Sequence, residues 1–274
     1  MGIVSLDFEI MPTSFQPVEE PGSSILSFTG ERYTPETRGN IYLEHMHRYL
    51  MVSDVVAGKD VLDVASGEGF GCYAMSQFAR SVVGVDIGVS SVEHALRRYK
   101  WLNVDFRAGS CSDMPLDDNS VDVVVSFEAI EHHDKRDRMM QEVRRLLRPG
   151  GVFIISIPEK HEYTDVPGTR NPFHVKELYH DEFQALMRAH FQNVAIYGQS
   201  VVFGSAIFLD GAPSHVKTTD ARTLEESNGR ARPIYLIAIA SDAELPLLPA
   251  SSLFGEDVLN REVVGVKLQH RKAL

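Results

Sequence analysis

Three glycines at alternate positions, Gly67, Gly69 and Gly71, follow the apolar run Val61-Leu62-Asp63-Val64-Ala65. Missing β-carbons at such a bend permit unusual backbone angles and let a ligand lie against the main chain. A second apolar run, Ser81-Val-Val-Gly-Val-Asp86, ends in a carboxylate about 20 residues after the glycines, where an acid accepts hydrogen bonds from both hydroxyls of a ribose. Glycine turn and acid together describe a site for a nucleotide-like ligand, with Asp86 as its ribose partner. The spacing excludes the dinucleotide pattern G-x-G-x-x-G, because the third glycine comes one residue early and Cys72 stands in its place. Glu68 inside the turn and Asp63 before it would also repel a pyrophosphate, which a helix N-terminus otherwise attracts. Their carboxylates suit a cationic ligand.

These groups need a scaffold that alternates strand and helix. Short apolar runs predict buried strands at 61–65, 81–86, 101–109, 121–127, 151–158, 194–202 and 233–240. Helical recurrence of apolar residues predicts helices over 41–57, 72–79, 89–99, 135–147 and 176–189. Arg148-Pro-Gly-Gly151 closes the fourth of these, and the arginines 144, 145 and 148 read as a solvated face. The segment 159–173 is long for a connection and carries Glu159, His161, Glu162, Tyr163, Asp165 and Arg170. Long loops at a sheet edge tend to be functional.

Taken in order, Asp63-Val-Ala-Ser-Gly-Glu-Gly-Phe-Gly71, Val85-Asp86, Gly109-Ser-Cys-Ser-Asp-Met-Pro115, Phe127-Glu-Ala-Ile-Glu-His132 and Leu147-Arg-Pro-Gly-Gly151 resemble the motif series of the class I S-adenosylmethionine-dependent methyltransferases. The resemblance spans roughly residues 29–203. It implies an α/β, Rossmann-like, seven-stranded, mostly parallel sheet with one antiparallel strand and helices on both faces. It also implies S-adenosylmethionine as methyl donor, held by Asp63, Ala65, Gly67, Gly69, Asp86, Ile87, Ser110, Cys111, Ser112, Phe127 and His132. Ser110 departs from the acidic residue the family commonly places there for the adenine amino group, so Ser110, Asp113 or the Cys111 amide takes that role. A helical lid over 25–57 is implied as well, with Tyr33 and Arg48 at the methionine end of the cofactor and Arg48 pairing with its carboxylate.

Transfer of a methyl group from a sulfonium is an in-line displacement, and a hydroxyl acceptor must also lose its proton. Imidazole titrates near neutral pH, which makes His132, His133, His161 and His174 the candidates. His133 and His174 are preferred, and no metal is required. Similarity of 30–33, 44–48 and 232–241 to bacterial methyltransferases of surface-polysaccharide assembly suggests O-methylation of a sugar or another small molecule. A catalytically inactive module serving as scaffold or partner subunit is the alternative.

Composition narrows the rest. A chain of 274 residues with 43% hydrophobic content supports one large domain with extensions. The expected organisation is an arm over 1–24, a domain over 25–241 with an insertion at 204–231, and a tail over 242–274. A formal charge of −11, from 27 basic and 38 acidic residues, argues against gripping nucleic acid by its phosphates. Two cysteines without ligand spacing indicate neither a disulfide framework nor a zinc site. No signal segment or long apolar run is evident, so a cytoplasmic protein without membrane contact is expected. A homodimer is allowed.

Overall fold

A computed structural model describes residues 40–99, 103–201, 218–219, 226–227, 232–246 and 248. Two helices lead in, α1 (Asn40–Met51) and α2 (Ser53–Val56), followed by β1 (Asp60–Val64), α3 (Phe70–Ser76), β2 (Ser81–Asp86), α4 (Val89–Arg98) and β3 (Val104–Ala108). The second half runs β4 (Val121–Phe127), α5 (Arg136–Leu146), β5 (Leu147–Pro158), α6 (His180–His190), β6 (Asn193–Gln199), a short pair β7 (Thr218–Thr219) and β8 (Glu226–Ser227), and β9 (Tyr235–Ser241).

The main sheet has the order β3-β2-β1-β4-β5-β9-β6. Every pairing is parallel except those of β9, which runs antiparallel to both β5 and β6. The chain lays β2 and β3 on one side of β1 and then restarts with β4 on the other. That reversal opens a crevice at the carboxyl ends of β1 and β4, where open α/β sheets take their ligands.

Both faces of the sheet are covered, which is why its central strands are apolar at successive positions. Leu62, Val64 and Val124 pack on one face with Met139, Val143 and Leu146 of α5 and Phe183 and Met187 of α6. Val61, Val123 and Val125 face the opposite way, toward Val52, Val56, Cys72, Met75, Val92 and Ala95 of the first four helices.

Several boundaries differ from those expected: α3 begins at Phe70 and ends at Ser76, β6 ends at Gln199, and three further differences bear on the packing. The single lead-in helix over 41–57 breaks at Val52 into α1 and α2. β5 begins at Leu147, four residues before the run that marked it, because Leu147 pairs with Val121 across an irregular register. α6 begins at His180, not at Lys176. The Val175 and Lys176 amides instead donate to the Glu131 carbonyl at 2.8 and 3.2 Å, and Leu178 bridges to Glu159. The arginines read as a solvated face are brackets: Arg145 joins Glu142, Asp118 and the Met114 and Leu116 carbonyls, while Arg148 joins Asp60 and Asp122.

Candidate functional site

The bend after β1 is built from left-handed backbone. Ala65, Gly67 and Gly69 have φ of 61, 57 and 95°, and only glycine adopts such angles without strain. A β-carbon on Gly69 would also lie 2.7 Å from the Phe106 ring. Gly71 has a different duty. It lies inside α3 with Tyr49 of α1 packed on it, so that a β-carbon would collide with the tyrosine ring. The third glycine therefore seats the lead-in helix and does not extend the ligand-facing turn.

Asp86 closes the turn. Its Oδ2 accepts from the Gly67 amide at 2.9 Å and its Oδ1 from the Gly88 amide at 2.8 Å. Each oxygen keeps a further lone pair. Its backbone carbonyl holds the Gly109 amide at 3.0 Å, which draws the exit of β3 to the same edge. Ile87, next in the chain, is 79% exposed and offers an apolar surface there. At the β3 exit the Ser110 hydroxyl engages Ser112 Oγ at 2.9 Å and the Ser112 amide at 3.2 Å, so it serves its own turn. Burial pushes the Cys111 thiol up.

The two carboxylates expected to favour a cation behave differently from each other. Glu68 is buried and turned onto α4, where Tyr99 Oη donates at 3.0 Å and Arg98 Nη1 and His94 Nε2 stand at 3.4 and 3.2 Å. Its charge is neutralised within the protein, and it contributes nothing to ligand sign. Asp63 lies wholly buried under the turn and accepts from the Cys72 thiol at 3.3 Å. Burial, aided by the Asp86 charge and opposed by the thiol bond, pushes its carboxyl up to about 7.

A second group of side chains gathers beyond the end of β4. Glu128 has φ of 53°, a strained angle for a residue with a β-carbon. Its Oε1 accepts from Ser156 Oγ at 2.6 Å and stands 3.3 Å from Arg48 Nη1. Arg48 is 1% exposed. Its Nε donates to Gln199 Oε1 at 2.6 Å and its guanidinium lies 4.4 Å from the centre of the Tyr235 ring. Gln199 also donates to the Glu44 carbonyl, and Tyr235 Oη to Glu44 Oε2. The helix α1 is thereby fastened to β6 and β9 by buried polar contacts. Arg48 Nη1 and Nη2 have no hydrogen-bond partner among the described residues. Burial raises the Glu44 carboxyl above its ordinary value, against the pull of Arg48.

One 3₁₀ turn further, Ile130–His132, Glu131 is 2% exposed and neither of its carboxylate oxygens is hydrogen-bonded among the described residues. Burial first, and then the Glu128 charge, raises its carboxyl well above the usual range. The His132 and His174 rings meet edge to face at 4.9 Å, with Tyr163 stacked 5.5 Å from His174. His174 Nδ1 is 2.6 Å from Glu177 Oε1, and its Nε2 is 2.9 Å from Asn171 Nδ2. A cavity of about 380 Å³ borders His174 between Lys160, Arg170, Lys176 and Tyr179.

The structure thus brings Asp63, Ala65, Gly67, Gly69, Asp86, Ile87 and the 110–112 turn to one edge, and Arg48, Phe127, His132 and His174 to the adjoining one. His133 stands apart from the pair. Its Nδ1 accepts the Lys135 amide at 3.1 Å, which leaves the proton on Nε2, and burial with the neighbouring Arg136 lowers its pKa. Tyr33 lies outside the described residues. Sequence reasoning placed Glu44 on the polar face of the lead-in helix without a role and missed Gln199, Ser156, Tyr235 and Glu177. Of these four, only Glu177, three residues from His174, and Tyr235, the one hydroxyl inside β9's apolar stretch before Ser241, left any trace.

Residues 62–155 match the family described as a methyltransferase domain. A probable S-adenosylmethionine-dependent methyltransferase of Mycolicibacterium smegmatis is 39% identical over 167 residues, 60% of this chain and 64% of that one. Another probable S-adenosylmethionine-dependent methyltransferase, from Mycobacterium tuberculosis, is 35% identical over 179 residues, covering 64% and 65%. The chain therefore spans just under two thirds of these relatives' length. The solved structure of the YcgJ protein from Bacillus subtilis superposes on 73% of this chain and all of that one, with a TM-score of 0.51 and 22% identity. That likeness is one of fold, and the fold is the class I methyltransferase fold expected above.

Proposed function

We propose that this chain, with a methyltransferase domain across residues 62–155, is an S-adenosylmethionine-dependent methyltransferase acting on an oxygen of a small-molecule or carbohydrate acceptor. The observation that carries the reading is Asp86, held by the Gly67 and Gly88 amides with lone pairs to spare. S-adenosylmethionine is the cofactor that the domain and the named relatives indicate, and it supplies an electrophilic methyl on a sulfonium. The residues present fit it. Asp86 suits the ribose hydroxyls, exposed Ile87 a face of the adenine, and the buried Arg48 guanidinium, whose Nη1 faces Glu128 and whose Nη2 has no hydrogen-bond partner among the described residues, the methionine carboxylate. Phe70 and Phe127, packed around Tyr49, keep water from that end.

The acceptor belongs between the 127–133 turn and the 159–177 segment. Without an ion, His174 is the better placed of the two preferred bases. Glu177 at 2.6 Å holds its Nδ1 as a donor, so Nε2, which now accepts from the Asn171 amide at 2.9 Å, is the nitrogen that takes a hydroxyl proton once the acceptor displaces that amide. The cavity of about 380 Å³ beside it suits a small acceptor better than a macromolecule. Among the described residues no helix is long and apolar enough to cross a membrane. An inactive scaffold is not favoured, because the turn, Asp86 and the His174–Glu177 pair are all intact.

The test is titration calorimetry with S-adenosyl homocysteine, followed by turnover on sugars, nucleotide sugars and phenols. Saturable binding and methylated product from the wild type, with turnover at least 100-fold lower in His174→Ala at unchanged cofactor affinity, is the expected outcome. Absence of binding ends the reading.

Asp63 gives the site a pH dependence. A cation bound on the turn favours the ionised carboxylate, so binding of S-adenosylmethionine expels the proton that Asp63 carries below its pKa of about 7. Affinity then rises with pH, by about tenfold between pH 6 and pH 8. Asp63→Asn flattens that profile, and an unchanged slope in the variant refutes the assignment.

A further inference from the structure

Glu131, His132 and His174 offer one carboxylate oxygen and two ring nitrogens that all lie within 4.8 Å of one another. Two features separate this group from a chance cluster of polar residues. Glu131 is 2% exposed, and both its oxygens lack a hydrogen-bond donor among the described residues. A buried carboxyl without donors is held neutral or calls for a cation beside it. In addition, both imidazoles are held from behind. His132 Nδ1 lies 3.3 Å from the Phe173 carbonyl, and His174 Nδ1 lies 2.6 Å from Glu177 Oε1. A carbonyl or carboxylate on one ring nitrogen fixes the proton there and turns the other nitrogen into a lone-pair donor, the arrangement that histidine ligands of metals nearly always show.

The backbone explains how two remote segments arrive together. The Glu131 carbonyl accepts the Val175 and Lys176 amides, which pins the stretch after His174 against the 3₁₀ turn that carries Glu131 and His132. We propose that Glu131, His132 and His174 bind a divalent first-row transition-metal ion, with zinc as the simplest occupant. Two imidazoles and a carboxylate suit that class, whereas magnesium and calcium prefer oxygen ligands throughout. His132 Nε2 and Glu131 Oε1 are 3.8 Å apart. Two donors about 2.0–2.1 Å from one zinc lie about 3.4 Å apart at the tetrahedral angle, so the Glu131–His132 edge needs only a few tenths of an ångström, while the His174 nitrogen, within 4.8 Å of the other two donors, closes by up to about 1.4 Å. The Asn171 amide now on His174 Nε2 at 2.9 Å gives way to the ion, and Glu177 becomes the support behind the ligand. Three protein ligands leave a coordination position open for water or an acceptor oxygen.

The site is argued from its own donors and stands whether or not the chain transfers methyl groups. Occupancy takes His174 Nε2 out of service as a proton acceptor.

The full-length chain, stripped with a chelator and dialysed, is titrated with cobalt(II) while visible absorption is followed, and with zinc(II) and magnesium(II) by calorimetry. One equivalent of cobalt and of zinc binds saturably, cobalt acquires the visible bands of nitrogen–oxygen coordination, and magnesium does not compete. Glu131→Gln and His174→Gln abolish the cobalt bands, and Glu177→Gln weakens zinc by about 10–100-fold, as loss of a support behind a ligand does. Thermal melting checks that each variant is folded, and His132→Gln replaces any that is not. Absence of saturable binding, or one equivalent retained in all folded variants, overturns the proposal and leaves a Glu131–His132 ion pair only. Titration of the same preparations with S-adenosyl homocysteine separates the outcomes, since its failure beside intact metal binding removes the methyl-donor reading alone.

Discussion

Asp86→Ala lowers affinity for S-adenosyl homocysteine by about 100-fold or more, and the loss has two physical sources. The first is the proposed pair of charge-assisted hydrogen bonds to the ribose hydroxyls, each contributing about 1.5–3 kcal/mol, or about 3–6 kcal/mol together. That range corresponds to about 10²–10⁴ in dissociation constant. The second is local. Alanine leaves the Gly67 and Gly88 amides without their acceptor, so the turn loses the tie that holds it to the end of β2. Asp86→Asn separates the two, because an amide keeps one acceptor oxygen and turns a donor toward the other N–H. It falls between wild type and alanine when ribose contacts dominate, and matches alanine when the turn dominates. Calorimetry at one pH reads the affinity, and thermal melting confirms that the variants fold. A loss of less than threefold for Asp86→Ala would remove the ribose assignment and with it the proposed cofactor pose.

That turn was legible in the sequence because its causes are local. An apolar run too short for a helix, glycine where φ must be positive, and an acid closing the next run all act within a few residues. The sheet was legible for the same reason, each central strand being apolar on both faces. The misread parts depend on distant partners. Glu68 looks like an exposed acid in a loop until α4 brings Arg98 and Tyr99 to it. Gly71 matches Gly67 and Gly69 in spacing, yet its neighbour is Tyr49 from the preceding helix. The helix predicted from Lys176 starts four residues late because the Glu131 carbonyl takes the Val175 and Lys176 amides. Its true start is marked by Glu182, whose carboxylate returns to the Tyr179 amide at 3.1 Å. The contacts of α1 with β6 and β9, through Arg48, Glu44, Gln199 and Tyr235, join segments about 150–190 residues apart and left no local mark in the sequence.

Arg48 shows the energetic side of those contacts, and Arg48→Met is expected to destabilise the chain by about 3–5 kcal/mol. The guanidinium is fully buried with Glu128 Oε1 at 3.3 Å, Gln199 at 2.6 Å and the Tyr235 ring beneath it. Methionine fills the volume but leaves Glu128 and Glu44 without the positive charge they face, and breaking a buried pair from one side costs more than the pair ever contributed. At about 2–4 °C per kcal/mol for a domain of this size, the melting temperature drops by about 10 °C. The deficit depends on pH with a definite sign. Burial already holds the Glu44 carboxyl above its usual 4.5 while Arg48 pulls it down, so the variant raises it further. A carboxyl raised in the folded state weakens folding above its pKa and ceases to do so once protonated. The gap between Arg48→Met and wild type therefore widens as pH rises from 4.5 and narrows on acidification. Adding Glu128→Gln to Arg48→Met recovers part of the loss by removing one orphaned charge, which a purely steric effect of the methionine would not allow. Urea unfolding of the three chains at pH 5 and pH 8 measures these differences, and a loss below 1 kcal/mol at pH 8 would show that the guanidinium is not the keystone between α1 and the sheet.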